Sequence, residues 1–459
     1  MLEENTIFEF INFLIAEALD IVWGPPMVVI LLGTGVILTF YHNAIQFRAF
    51  PTAIALALGL KKESDSAPGE VSHFRALCTA LSATVGLGNI AGVGIAISVG
   101  GPGATFWMII VGLLGMVTKL NECSLACLYR KIDANGHVTG GGPMYYIEKV
   151  PGGIFMANMF AFFMMMAAIG GANMFQANQV AMAAEGSFNI PPLYTGLLLS
   201  LIVGIVILGG IKRIAAVASI IVPFMGAAYV IGCLVVIGIF IDRLPATVMF
   251  MLQDAFTGQA VAGGALGTVI IQGVRRALFS SEAGLGSAAV AHSMAKADKP
   301  VSEGIVALLE PFIDTVVICT ITAITINITG AWEMVGPDGE RFIGVALTQE
   351  ALNSGIAGFG TWFVPLAVFL FAVSTLISWS LYGTEGAKYL FRGSTRWVYS
   401  YKVIFVLAPI LGSIWALGPI VDFSDICMAL MVIPNVWAMI WLTPKVKAAL
   451  KDYFSSETA

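Results

Sequence analysis

Long apolar runs alternate along the chain with short polar ones. Eleven of the runs are long enough to cross a hydrocarbon core about 30 Å thick at about 1.5 Å per residue. They cover 22–41, 74–98, 104–128, 154–183, 193–211, 214–241, 260–290, 303–330, 361–386, 402–419 and 426–443. A lone strand leaves its backbone unsatisfied in lipid, and a membrane barrel would show alternating segments of about ten residues. The runs therefore predict helices, and the expected fold class is an all-α membrane protein with eleven transmembrane helices. Two connections are longer. Residues 42–73 hold the polar stretch from Lys61 to Glu70 and read as a loop. Residues 331–360 hold the turn formers Gly336, Pro337, Asp338 and Gly339, then a short amphipathic helix from Ala346 to Leu352.

Positive charge orients this pattern. Of the 23 Lys and Arg, only Arg243 and Arg341 fall in one set of alternate loops, and Lys119, Arg275 and Arg276 lie within spans; the rest collect in the opposite set. Basic loops stay on the cytoplasmic side. The expectation is a multi-pass protein of the cell membrane, N-terminus outside and C-terminus cytoplasmic. The opening residues Met1, Leu2, Glu3 and Glu4 lack the basic start of a secretory signal, so the first span is expected to persist.

Composition agrees: 58% of residues are hydrophobic and 11% charged, against about 25% charged in soluble domains. No basic run suggests nucleic acid as a partner; membrane lipid is the implied surroundings. The six cysteines form no C-x-x-C pair, which argues against a disulfide framework or a zinc site. His42, His73, His137 and His292 fall in or beside one set of loops and read as satisfied interfacial groups.

Two spans concentrate glycine. The second contains Val85-Gly86-Leu87-Gly88-Asn89-Ile90-Ala91-Gly92, and the seventh contains Phe279-Ser280-Ser281-Glu282-Ala283-Gly284-Leu285-Gly286. Glycine inside a helix costs about 1 kcal/mol relative to alanine, so both places predict breaks in winding. An odd offset of five spans makes the two segments cross in opposite directions, the mark of inverted repeats with discontinuous helices. A break in lipid is tolerated only where its freed backbone groups line a cavity. Half-helix N-termini suit a carboxylate and freed carbonyls suit a cation. Close packing of small residues is the competing reading for either cluster alone; the pair at this spacing favours a midplane site.

The runs Ala80-Leu81-Ser82-Ala83-Thr84-Val85-Gly86-Leu87-Gly88-Asn89, Gly140-Gly141-Gly142-Pro143-Met144-Tyr145-Tyr146 and Phe279 to Gly286 resemble the alanine or glycine:cation symporter family over nearly the whole chain. The resemblance implies sodium-driven, in some members proton-driven, uptake of alanine and glycine. It also implies the leucine-transporter fold, a 5+5 inverted repeat with one extra N-terminal helix. Residues 1–73 would hold that helix and a cytoplasmic loop, 74–241 the first repeat, 242–443 the inverted second repeat and 444–459 a cytoplasmic tail. The amides of Leu87 and Gly88, in the stretch with Thr84 and Gly86, would hold the substrate carboxylate. Phe279 would be a lid, and Ser280 and Ser281 an unwound stretch beside the ammonium group. Na⁺, the coupling ion, would sit among the carbonyls of Ser82 and Val85 and the segment from Phe371 through the hydroxyls of Ser374 and Thr375. No cofactor is implied.

Other polar groups in the spans keep two or more readings. Asn173 and Gln176 share a helix face and either line the pocket or bond between helices; this helix lacks the tyrosine that the resemblance leads one to expect. Gln272, on a face similar to that of Phe279, is a further ligand candidate. Glu282 meets the substrate ammonium, pairs with Arg276 or carries a coupled proton. Arg275 and Arg276 form an outer gate or a structural ion pair. Lys119 and Glu122, a turn apart, read as a structural pair. The resulting expectation is a symporter of small neutral amino acids working by alternating access. The alternatives are a channel or sensor on the same scaffold, which could not concentrate its solute, and a membrane enzyme, for which no H-E-x-x-H, P-loop or Ser/His/Asp set is present.

Overall fold

The computed structural model describes residues 22–61, 66–257, 266–336, 339–415 and 418–457, with Glu17, Leu19, Glu63 and Ser64 in addition. The apolar runs become helices: α1 (Pro25–Tyr41), α2 (His73–Thr84), α3 (Gly88–Gly100), α4 (Ala104–Tyr129), α5 (Gly153–Phe188), α6 (Pro192–Ile207), α7 (Gly210–Ile239), α8 (Leu266–Ser281), α9 (Pro300–Thr329), α10 (Phe359–Leu390), α11 (Thr395–Ile414) and α12 (Gly418–Glu457). Among the described residues α4, α5, α7, α9, α10, α11 and Asp422–Ser455 of α12 are each long and apolar enough to cross a membrane. Taken as one span, the pair α2–α3, bent by 54°, makes an eighth candidate, and α1 and α6 are shorter apolar helices.

Departures from the hydropathy pattern have local causes. The run 260–290 is not one helix: α8 ends at Ser281, the chain unwinds, and a short helix resumes at Ala289–His292. Residues 258–265 of that run lie outside the described residues. The expected loop at 42–73 carries two short helices, Ile45–Arg48 and Phe50–Ala57, because Ala49, Ala53, Leu56 and Ala57 pack into the core. An additional helix, Leu244–Thr257, docks through Asp254, whose carboxylate accepts the Gly103 amide at 2.8 Å beside the start of α4. The expected short amphipathic helix appears at Val345–Gly355. The last helix continues past residue 443, with Val446, Leu450 and Tyr453 buried.

Burial sorts the helices by solvent. In α10, 83% of the most apolar window is buried, and this helix packs against α2, α5, α7 and α11. The corresponding figures for α7 and α11 are 39% and 33%, and α7 turns Ile220, Phe224 and Ile231 outward. In water such a surface would be unstable; in lipid it is solvated. Three stretches have the wider winding of a π-helix, Gly88–Gly92, Gly170–Met174 and Phe312–Cys319. Such turns release single backbone bonds and often mark functional places. A two-stranded hairpin, β1 (Lys131–Ile132) and β2 (Val138–Gly140), follows α4.

Candidate functional site

The first break begins where α2 runs into Val85, whose ψ of 92° is extended rather than helical. The Gly86 amide donates to Asn89 Oδ1 at 2.8 Å, so the Ser82 carbonyl loses its helical donor. The Asn89 side-chain amide then reaches Asp314 of α9, donating to Oδ1 at 2.7 Å and to the backbone carbonyl at 3.1 Å. Asp314 Oδ2 accepts the hydroxyls of Ser280 at 2.8 Å and Thr315 at 2.7 Å. One fully buried carboxylate thus ties the first broken helix to the end of α8. The two elements touch: a Cβ on Gly88 would lie 3.3 Å from Ser280 Cα.

The second break starts at Glu282, three residues beyond Phe279, so Ser280 and Ser281 stay helical rather than unwound. Glu282, Gly284 and Gly286 take φ of 52°, 95° and 83°. Only glycine enters this region without a steric cost, which is why the motif carries two. Asn435 of α12 holds the unwound chain: its amide donates to the Gly284 carbonyl at 2.8 Å and to Glu122 Oε1 at 2.7 Å, and its oxygen accepts the Tyr146 hydroxyl in a short bond. Glu282 accepts the Trp379 indole N–H at 3.1 Å and, in a short bond, the Ser287 hydroxyl. Each break is therefore clamped by an asparagine.

Between the breaks lies a cavity of about 30 Å³, room for a water or two. Of the residues named from sequence, Thr84, Gly86, Leu87, Gly88, Gln176, Phe279, Glu282 and Thr375 line it; Trp379, Met428, Ala83, Gly171 and Ala172 join them. The remaining ligand candidates lie behind the wall. Ser280 is engaged with Asp314, and Ser281 accepts the Ala283 amide at 3.4 Å. Asn173 donates to the Phe405 carbonyl at 2.7 Å, an interhelical bond. Gln272 packs against Gly100 of α3, where an added Cβ would meet its Cβ at 2.8 Å.

The cation candidates come together between α2 and α10. Ser82 Oγ donates to the Ser374 carbonyl at 2.7 Å, and Ser374 Oγ lies 3.3 Å from the Ser82 carbonyl and 2.8 Å from that of Phe371. Thr375 Oγ1 is buried without a hydrogen-bond partner among the described residues and faces Gly86, on which a Cβ would come within 2.9 Å of it. An orphaned buried hydroxyl beside freed carbonyls is costly unless something fills the gap. The donor set is neutral oxygen throughout, which fits a monovalent hard cation.

The charged groups pair differently from their sequence spacing. Lys119 is fully buried and meets Glu310 at 3.0 Å, not Glu122. Glu310 lies 3.5 Å from His292, His292 lies 2.5 Å from Glu303, Glu303 makes a short contact with His73, and His73 meets Glu63 at 3.0 Å. The histidines of this ladder are thus buried bridges rather than interfacial groups. At its outer end, burial raises the Glu63 pKa. Bonds from His73, the Asp298 amide at 2.8 Å and the Ser302 hydroxyl at 2.7 Å outweigh burial and bring the pKa down from 4.5 to about 2. No ion pair joins Glu282 to Arg276, whose Nε is buried and unpartnered among the described residues. Asp314 and Asn435 were not singled out from the sequence. The available signal for Asp314 was an ionisable residue inside an apolar run; Asn435 carried none beyond its polarity.

Two broken helices closing on a small polar chamber within an apolar helical bundle suit a membrane transporter of the leucine-transporter fold. The solved structure of MhsT in complex with L-phenylalanine superimposes with a TM-score of 0.53 over 82% of this chain and 89% of that one, at 14% identity, a likeness of fold. The chain belongs to the sodium:alanine symporter family, whose profile matches residues 8–459; this is a family of transporters, not enzymes. Similar relatives include the sodium/alanine symporter AgcS of Methanococcus maripaludis, 39% identical over 94% of this chain and 95% of its own. An uncharacterized transporter of Haemophilus influenzae is 40% identical over 96% of both chains. The probable sodium/glutamine symporter GlnT of Bacillus subtilis is 34% identical over 98% of this chain and 92% of its own.

Proposed function

We propose that this chain carries a small neutral amino acid, alanine or glycine, into the cell together with Na⁺ by alternating access. The observation that carries this reading is the unpartnered Thr375 hydroxyl facing the opened end of α2, on the wall of the chamber where the two breaks meet. Na⁺ is held by the Ser374 and Thr375 hydroxyls and the carbonyls of Ser82, Val85 and Phe371, cross-linking α2 to α10. The substrate carboxylate meets the amides of Leu87 and Gly88 at the start of α3, where the helix end is positive. Phe279, Trp379 and Met428 crowd the side-chain end, which favours alanine over a longer substrate such as glutamine. Eleven crossings complete the topology, α1, α6 and α8 joining the eight above. They divide into an extra N-terminal helix and loop (1–73), inverted repeats 74–241 and 242–443 and a tail at 444–459, with the N-terminus outside and the C-terminus in the cytoplasm.

A second reading has one specific support. Glu282 puts a buried carboxylate on the chamber wall, where it could take up a coupled proton in place of Na⁺. Purified protein in proteoliposomes separates the two. Uptake of radiolabelled alanine is expected under an imposed Na⁺ gradient at equal pH. Uptake driven only by a pH gradient transfers the coupling role to Glu282, and uptake that never exceeds equilibration rejects symport.

A further inference from the structure

Away from the chamber, at the end of the molecule where the basic loops gather, a cleft of about 630 Å³ opens between the β1–β2 hairpin, the start of α5 and the last turn of α10. Lys131, Lys149, Lys388 and Arg392 line it, with Tyr145 and Tyr389 between them. The acidic groups here are fewer and partly engaged. Glu148 accepts the Tyr389 hydroxyl at 2.7 Å and lies 3.6 Å from Lys149, and Glu385 lies 3.3 Å from Lys388. Lys131 is held over the Tyr145 ring at 4.9 Å, so its ammonium is placed rather than free to wander into solvent. Arg392 sits just beyond the end of α10 with φ of 50°, a conformation that costs a non-glycine residue energy.

Topology alone explains why cations collect at this end; it does not explain why four of them converge on one concavity. Ile154 and Leu390 give the cleft an apolar part. Ile154 is 71% exposed, and its neighbour Phe155 is 74% exposed on the outward face of α5. Phe391, between the lining residues Leu390 and Arg392 in the chain, stacks on Trp397 with ring centroids 5.5 Å apart, and both rings are exposed. Exposed aromatic rings of this kind mark the depth of the lipid headgroups. A cationic cleft at that depth, continuous with a greasy helix face, has the shape of a phosphate diester attached to acyl chains. A soluble anion would use the cations and leave the apolar part without a role.

We propose that this cleft binds the headgroup of an anionic glycerophospholipid, its phosphate between Lys131, Lys149, Lys388 and Arg392 and its chains along Ile154 and Phe155. The site is independent of the substrate chamber and stands whether or not the coupling ion is Na⁺. Each cation near a lipid phosphate contributes about 1 kcal/mol, which converts to roughly fivefold in affinity.

The test is native mass spectrometry of the full-length protein titrated with phosphatidylglycerol, with phosphatidylcholine and inorganic phosphate as separate arms. One phosphatidylglycerol is expected to be retained over phosphatidylcholine, and excess phosphate should not displace it. Lys149→Gln and Arg392→Gln are each expected to weaken retention about fivefold. Lys447→Gln with Lys451→Gln, which removes two cations elsewhere on the same end, should leave it unchanged. Lys149 is half-exposed, so its variant should fold; the thermal midpoint in detergent without added lipid checks both variants. Retention equal to wild type in both cleft variants overturns the proposal, as does a similar fivefold weakening by the distant pair, which would mean diffuse attraction only. Displacement by inorganic phosphate overturns the lipid assignment in favour of a soluble anion.

Discussion

Thr375 carries the clearest single-residue consequence. Hydrogen bonds to charged groups are worth about 1.5–3 kcal/mol, so on the proposed ion site the loss of this hydroxyl should raise the Na⁺ concentration for half-maximal uptake about tenfold or more. Thr375→Ala is expected to do this while the ratio of alanine to glycine uptake stays the same, as sodium titrations with each labelled substrate will show. An unchanged sodium dependence removes Thr375 from the ion site. Gly86 makes the complementary case: Gly86→Ala puts a methyl 2.9 Å from the Thr375 hydroxyl, into the space the ion would use. Uptake should fall more than thermal stability does. The place of the break is legible in the sequence because its chemistry is local: glycines mark where winding fails, whereas the hydroxyls on α10 come from the resemblance alone.

At the scale of the element, each break is a stretch of backbone with one freed group taken up by an asparagine side chain, the Gly86 amide by Asn89 and the Gly284 carbonyl by Asn435. Asn89→Ala leaves the Gly86 amide and one Asp314 oxygen without a partner, and Asn435→Leu removes the donor to the Gly284 carbonyl and to Glu122 and the acceptor of the Tyr146 hydroxyl. Each unsatisfied buried group costs about 1–3 kcal/mol, so both variants should lower the thermal midpoint in detergent. Asn89→Ala should also impair alanine binding, since Gly86 and Leu87 form the chamber wall. A midpoint equal to wild type in either variant would mean the break is held by other groups. The loop that carries Glu63 makes a pH prediction. A carboxyl held at about 2 in the folded protein contributes its full stabilisation above its ordinary value of 4.5 and loses it as pH falls through about 2. Pepsin should therefore leave residues 63–72 uncut at pH 4 and cleave them more rapidly as pH drops toward 2. Glu63→Gln should be cut readily at pH 4.

Across the whole molecule, the ladder from Lys119 through Glu310, His292, Glu303 and His73 to Glu63 joins α2, α4, α9 and the loop before α2. Breaking a buried ion pair from one side costs about 3–5 kcal/mol, whereas replacing both partners by apolar groups is often near neutral. Lys119→Met alone should therefore be severely destabilising. Lys119→Met with Glu310→Met should recover much of the loss, though not all, since His292 keeps only Glu303. Thermal midpoints of the single and double variants measure this coupling, and strictly additive losses would show the pair to be energetically independent. The histidines explain why the sequence misled here: beside loops they read as interfacial, but packing of α9 against α2 and α4 buries them.

Hydropathy and glycine placement, taken alone, established a helical membrane protein, its main apolar runs and the neighbourhoods of its two breaks. These properties depend on how each short segment meets lipid and on its own backbone strain. The tertiary structure decided what the polar groups inside those runs do. It placed Asp314 between Asn89 and Ser280, gave Gly284 to Asn435, turned Lys119 from Glu122 to Glu310, and drew Gln176 to the chamber while Asn173 bonds to α11. Most of those partners stand far apart along the chain. Where water is excluded a buried polar group takes whichever partner packing brings within reach, and helical periodicity names its face but not its neighbour.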